Sequence, residues 1–145
     1  MRLTLFSDFS LRMLLYLATH PDRNVELSEV ADAYGVSHHH LNKVVQTLVA
    51  EGLVISVRGR GGGLRLGRAP EAINIGALVR LTEPDLDLVE CFDSATNTCP
   101  IDSACGLKRV LVDAQRAFLG ALDAHTLADF VPRAPALIKL WRRRG

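Results

Sequence analysis

The stretch Leu27-Ser28-Glu29-Val30-Ala31-Asp32-Ala33-Tyr34-Gly35-Val36-Ser37-His38-His39-His40-Leu41-Asn42-Lys43-Val44-Val45-Gln46 decides the fold. Its first eight residues read as a short helix with Val30, Ala31 and Tyr34 turned inward. Gly35 suits a left-handed helix end, and Ser37 has the side-chain oxygen that caps a helix start. The next helix runs from His38 to about Glu51, with Leu41, Val44, Val45 and Leu48 as its apolar stripe and Gly52 closing it. A short helix, a glycine turn and a second helix form the helix-turn-helix pattern. In that pattern the N-terminal part of the second helix meets base edges, so Ser37, His39, His40, Asn42, Lys43 and Gln46 are the expected DNA contacts. Asn42 and Gln46 carry the amide geometry that matches adenine, and Lys43 suits a phosphate or a guanine. The run His38-His39-His40 is a poor metal site, because successive helical residues point about 100° apart.

Working outward, Thr4–Thr19 carries apolar residues over a broad helical face and reads as a buried first helix. Downstream, Leu53–Arg58 and Leu64–Leu66 read as two strands joined by Gly59-Arg60-Gly61-Gly62-Gly63. This hairpin has the make-up of a wing. Its glycines Gly61 and Gly62 permit close backbone approach to DNA, and Arg58, Arg60 and Arg65, with Arg68 beyond, form a strip without acidic residues that suits phosphates or a narrow minor groove. A fourth helix is expected over Ile73–Leu81, started by Asn74. From Gly106 to about Leu122 the residues Leu107, Leu111, Ala114, Phe118 and Ala121 repeat at helical spacing, giving a long helix with one apolar face for a second copy of the chain. Thr126–Val131 adds a helical turn or two, and Trp141-Arg142-Arg143-Arg144 reads as a solvated tail. The expected fold is mainly α with a small β-hairpin: a winged helix-turn-helix over residues 1–82, a loop over 83–105, and a dimerisation helix with its tail over 106–145.

That loop holds all three cysteines, Cys91, Cys99 and Cys105, within fifteen residues. An odd number of thiols in a chain without a signal-peptide pattern argues against a disulfide framework and for metal or redox chemistry. Thiolates on an irregular segment approach a metal group from several directions, which favours an iron-sulfur cluster. Structural zinc would need a fourth ligand, for which Asp93 and Asp102 are the nearby oxygens, and a metal-free thiol switch would need only two of the cysteines.

Net charge is +1 over 145 residues, 48% of them hydrophobic, so the bulk balance suggests a globular core and says little about partners. No apolar run reaches the roughly 18 residues of a membrane span, and the expected setting is the cytoplasm. No nucleophile-base pair or phosphate loop is legible, and Gly59–Gly63 lacks the strand-to-helix context of nucleotide-binding glycines, so no enzyme is expected.

Together these residues resemble the Rrf-type iron-sulfur regulators over nearly the whole length. The resemblance is carried by Met1-Arg2-Leu3-Thr4, Asp8 with Leu11-Arg12, His40–Val45, the wing Arg58–Leu66, Leu88–Asp93, Asn97–Ile101 and Thr126–Asp129. It implies a homodimeric repressor that binds a double-stranded DNA operator and carries a 4Fe-4S cluster, with 2Fe-2S as the lesser form. Cys91, Cys99 and Cys105 would be ligands, and Asp8 would come from the other subunit, with Arg12 four residues on to pair with it and offset the anionic site. The competing reading of Asp8 is a simple helix cap. Asp8 points to the nitric-oxide-sensing members. Leu107 and Lys108 stand where IscR-type regulators place a histidine ligand, whereas the seven-residue gap between Cys91 and Cys99 also occurs in iron-responsive RirA-type repressors.

Overall fold

The computed structural model describes residues 2–142. In chain order it contains α1 (Leu5–Ala18), α2 (Leu27–Tyr34), α3 (His38–Ala50), β1 (Val54–Val57), β2 (Gly63–Leu66), α4 (Ile75–Thr82), α5 (Gly106–Asp123) and α6 (Ala134–Trp141). Short 3-10 segments lie at Pro70–Ala72, Glu90–Phe92, Asp102–Ala104 and Leu127–Arg133. This is the mainly helical winged arrangement expected from the sequence.

Local chemistry sets the helix boundaries. Thr4 caps α1 by accepting from the Ser7 N–H, so Asp8 is not the cap but a first-turn acid. Gly35 takes the left-handed conformation at φ 65° and ends α2, and Ser37 caps α3. Glu26 and Glu29 form a reciprocal capping box at the start of α2. Asn74 starts α4 two residues later than the apolar pattern suggests. Ile73 is held out of the helix because its carbonyl accepts from Leu127 N–H at 2.9 Å.

Helix α1 is the post around which the head is packed. Met13, Leu14 and Leu17 are fully enclosed and meet Leu41, Val44 and Leu48 of α3, Val54 and Leu64 of the hairpin, and Leu78 of α4. Two serines share that buried face without leaving polar atoms stranded: Ser10 donates to the Phe6 carbonyl at 2.7 Å, and Ser7 lies 3.2 Å from the Thr4 hydroxyl.

In the antiparallel hairpin, Val54 pairs with Leu66, Ile55 with Arg65, Ser56 with Leu64 and Val57 with Gly63. Val54 and Leu64 point into the core. Leu53 gives the hairpin only its carbonyl, which accepts from Gly67 N–H at 2.8 Å, because its own N–H closes α3 by donating to the Leu48 carbonyl at 2.9 Å. Val25, in the α1–α2 connection, exchanges two backbone bonds with Leu64 at 2.8 and 2.9 Å and so fastens the wing to the head.

The C-terminal region departs from the expected tail. After the 3-10 segment the chain forms α6, whose proline, Pro135, falls in its first turn where a missing N–H costs nothing. Trp141 packs its ring 4.8 Å from Tyr16 and 5.5 Å from Tyr34, measured between centroids. Trp141 is therefore an anchor to α1 and α2, while Arg143 and Arg144 lie outside the described residues.

Gly63 adopts φ +138°, and a Cβ there would lie 2.7 Å from the Val25 carbonyl oxygen. Gly63→Ala is expected to lose on the order of 1–3 kcal/mol of stability by loosening the wing from the α1–α2 connection. Denaturant titration checks this, and an unchanged midpoint would contradict the tight crossing.

Candidate nucleic-acid interface and thiol loop

The stripe Leu41, Val44 and Leu48 fixes the rotation of α3 by facing the core, which leaves the opposite surface to solvent. His39, Asn42, Lys43 and Gln46 are all exposed and, at helical spacing, share one outer face. Asn42 and Gln46 have no side-chain hydrogen bond among the described residues, so their amides are free for a ligand. His40 is exposed but turned toward α1: its Nδ1 lies 3.0 Å from Ser37 Oγ and its ring 6.0 Å from Phe9. Lys43 Nζ stands 5.9 Å over the Phe6 ring. Ser37 thus has two tasks inside the fold, the α3 cap and the orientation of His40.

Arg58, Arg60 and Arg65 are exposed on the wing, as is Gly61, while Gly62 is half-buried at the turn. The wing tip is held by Asn24, whose Nδ2 donates to the Gly61 carbonyl at 2.8 Å. Arg68 serves a different end from its sequence neighbours. Its Nη2 donates to the Glu51 carbonyl at 2.7 Å and satisfies the C-terminus of α3.

Cys91, Cys99 and Cys105 are free and half-buried. Cys91 sits in the Glu90–Phe92 turn, and Cys105 is the residue from which α5 departs. No side chain of the loop is fully buried, and polar bonds hold its thiol-bearing part. Glu90 accepts from the backbone N–H of Thr98 at 2.7 Å and from its hydroxyl at 2.5 Å, which holds the Glu90 carboxyl below the ordinary range. Asp93 accepts from Ala95 N–H and the Thr96 hydroxyl, both at 2.8 Å. Asp102 pairs with Lys108 at 2.6 Å. The two carboxylates that would complete a zinc site are therefore engaged elsewhere.

Lys108 went unread as a functional residue in the sequence. Its pairing with Asp102 pushes its ammonium up, and it stands one helical turn beyond Cys105 at the start of α5. Among the described residues no three His, Cys, Asp or Glu side chains are gathered as a ready-made ion site. The donor chemistry, three unpaired thiols and a nearby cation, fits an anionic iron-sulfur group; the single chain does not itself bring the sulfurs together.

Asp8 lies on the outer side of α1, bonded to Arg12 through Oδ1–Nε at 2.8 Å and Oδ2–Nη2 at 2.7 Å. The same guanidinium stands 5.6 Å from the centre of the Tyr34 ring. Burial pushes the Tyr34 phenol up, and its enclosed hydroxyl has no hydrogen-bond partner among the described residues. Sequence periodicity read Tyr34 as a core residue; its position next to Arg12 was not legible.

Helix α5 has no buried residue, although Leu107 and Val110 are among its large apolar side chains and lie more than 60% exposed. It is joined to α4 by the paired bonds of Arg80 to Asp123 at 2.6 and 2.7 Å, and Asn74 Nδ2 donates to the Asp123 carbonyl at 2.8 Å. Gln115 donates to the Leu86 carbonyl and so ties the loop to α5.

Residues 3–133 match the model of the Rrf2 family, described as an iron-dependent transcriptional regulator. The HTH-type transcriptional regulator NsrR of Bacillus subtilis is 46% identical over 145 residues, covering 99% of both chains. Its counterpart from Halalkalibacterium halodurans is 47% identical, covering 97% of this chain and 99% of its own. Among solved structures, the global cysteine regulator CymR of B. subtilis superposes with a TM-score of 0.75 at 26% identity, over 91% of this chain and 97% of that one. IscR of T. potens gives 0.73 at 25% identity, over 92% and 88%.

The start of α1 and the start of the thiol loop meet at Glu83, which accepts from Thr4 N–H at 2.8 Å and from the Thr4 hydroxyl at 3.1 Å. Partial burial alone pushes the Glu83 carboxyl up, but hydrogen bonds from Ser7 and from both groups of Thr4 outweigh it and hold the group below the ordinary range. Its stabilising contribution is therefore complete above the ordinary Glu value of 4.5 and lost as pH falls through the lower folded value. Glu83→Gln should be less stable than the parent at neutral pH, with the gap narrowing below 4.5. Denaturant titrations at the two pH values test this, and a constant gap would refute the linkage.

Proposed function

Because the chain belongs to the Rrf2 family of iron-dependent transcriptional regulators, we propose that it is a cytoplasmic, homodimeric transcriptional repressor that binds double-stranded operator DNA and senses nitric oxide through a 4Fe-4S cluster. The observation that carries this reading is the presence, on one chain, of an exposed polar face on α3 beside an arginine-bearing hairpin and of three unpaired thiols in the loop that leads into α5.

On DNA, α3 enters the major groove with Asn42 and Gln46 toward base edges, and Lys43 and His39 beside them. His40 and Ser37 hold the N-terminal end of the helix against α1. Arg58, Arg60 and Arg65 neutralise phosphates flanking the groove, while Gly61 and Gly62 keep the wing tip slim enough to approach. In this reading residues 1–82 form the head, 83–105 the sensor loop and 106–145 the dimerisation region, with Leu127–Trp141 docked back on the head. The exposed apolar side of α5, including Leu107, meets its twin.

Cys91, Cys99 and Cys105 would hold the cluster together with Asp8 of the partner subunit, in preference to a 2Fe-2S form. When bound, the cluster supplies the reactivity toward nitric oxide. Arg12 sets the direction of Asp8 and balances the negative charge collected by the thiolates. Since Asp8 stands on the helix that packs the whole head, a change in what Asp8 holds tilts that head against the opposite loop. The spacing of the two recognition helices on a palindrome then changes.

Anaerobic purification with iron and sulfide analysis, followed by nitric oxide titration, tests the sensor. Inorganic iron and sulfide with loss of operator binding on titration is expected; protein without them sinks the cluster reading. Asp8→Ala should remain dimeric yet lose its cluster faster. For the DNA face, Asn42→Ala should cost about 1–3 kcal/mol at one base position. Arg60→Ala should instead weaken all sequences alike and lower the salt slope by about 1. Equal effects of the two on specific and random DNA would contradict the assignment.

A further inference from the structure

Glu90 immediately precedes Cys91, and Thr98 immediately precedes Cys99. One oxygen of the Glu90 carboxylate accepts both from the Thr98 backbone at 2.7 Å and from its hydroxyl at 2.5 Å. The chain between the first two thiols is thereby closed into a ring by a side chain. Inside that ring, Asn97 N–H donates to the Asp93 carbonyl at 3.0 Å, and Asn97 Oδ1 receives the Cys99 N–H at 3.0 Å. Beyond it, Asp102 N–H donates to the Cys99 carbonyl at 3.3 Å. A loop with no fully buried apolar side chain would otherwise sample many separations of Cys91 and Cys99, and each would have to be lost when a metal draws the sulfurs in.

We propose that Glu90 is a positioning residue for the thiol loop: by gripping Thr98 it sets the separation at which the Cys91 and Cys99 thiolates are offered to a metal. The inference rests on the reading of the three cysteines as ligands. Electrostatics alone would not place a carboxylate here, because a third negative charge opposes the gathering of two thiolates. Glu90 is exposed, so water and salt screen that repulsion, whereas the two hydrogen bonds act through geometry. Its role is thus opposite in kind to that of Lys108, a cation one helical turn beyond Cys105. Groups that orient metal ligands from outside typically change metal affinity by about 10-fold to 100-fold.

The test uses the full-length protein, reduced and metal-free, titrated anaerobically with cobalt(II) and followed by thiolate-to-cobalt absorption. Chelator-driven loss of iron is measured in parallel on the reconstituted protein. Glu90→Ala is expected to weaken cobalt binding and speed iron loss by about 10-fold or more. Glu90→Gln keeps the acceptor oxygen and removes the charge, so it should stay close to the parent, and Thr98→Val, which removes the hydroxyl and keeps the N–H, should fall between. Thermal denaturation of the metal-free variants should show no common loss of stability. Equal behaviour of Glu90→Ala and the parent overturns the positioning role, as does tighter binding by Glu90→Gln, which would show that charge dominates. A parent protein that takes up neither cobalt nor iron and sulfide overturns the ligand reading itself, and the positioning role with it.

Discussion

The burial of one face of α1 governs the rest of this molecule. Met13, Leu14 and Leu17 supply the surface against which α3, the hairpin and α4 are packed. The same helix carries Asp8 and Arg12 on its other side, paired and half-exposed. A rigid post with a charged outer face transmits displacement. Such an element cannot shift without taking α3 with it, because close-packed interiors do not deform gradually.

The thiol loop obeys different physics. Nearly every bond that shapes it ends on a carboxylate or an amide: Glu90 to Thr98, Asp93 to Ala95 and Thr96, Asn97 to Cys99, Asp102 to Lys108. Such exposed bonds are individually weak. They give a segment that is shaped without being locked, as the proposed cluster site would require. The head meets the loop at a polar point, Thr4 with Glu83, and meets the far end of α5 at another, Arg80 with Asp123.

Elements with strong local signals were legible in the sequence. The Gly35 turn, the Ser37 cap, the apolar stripe of α3 and the glycine-rich hairpin all follow from residue chemistry acting over a few positions. Helix α6 was not legible, because two prolines, Pro132 and Pro135, interrupt the pattern and its anchoring residue Trp141 stands in a run of arginines. The separate use of Arg68 was hidden for a related reason. Composition groups it with the wing arginines, while the path of the chain brings it to the end of α3.

By itself, the sequence determined the apolar stripes of α1 and α3, the turn and cap between α2 and α3, and that three thiols share one polar loop, since these depend on periodicity, capping and spacing along the chain. Only the tertiary structure decided that the Asp8–Arg12 pair stands against the Tyr34 ring, that Glu90 closes the ring ahead of two cysteines, and that Trp141 is carried back onto α1 and α2. Those relations join residues through space, and their geometry is set by how the packed core orients each helix.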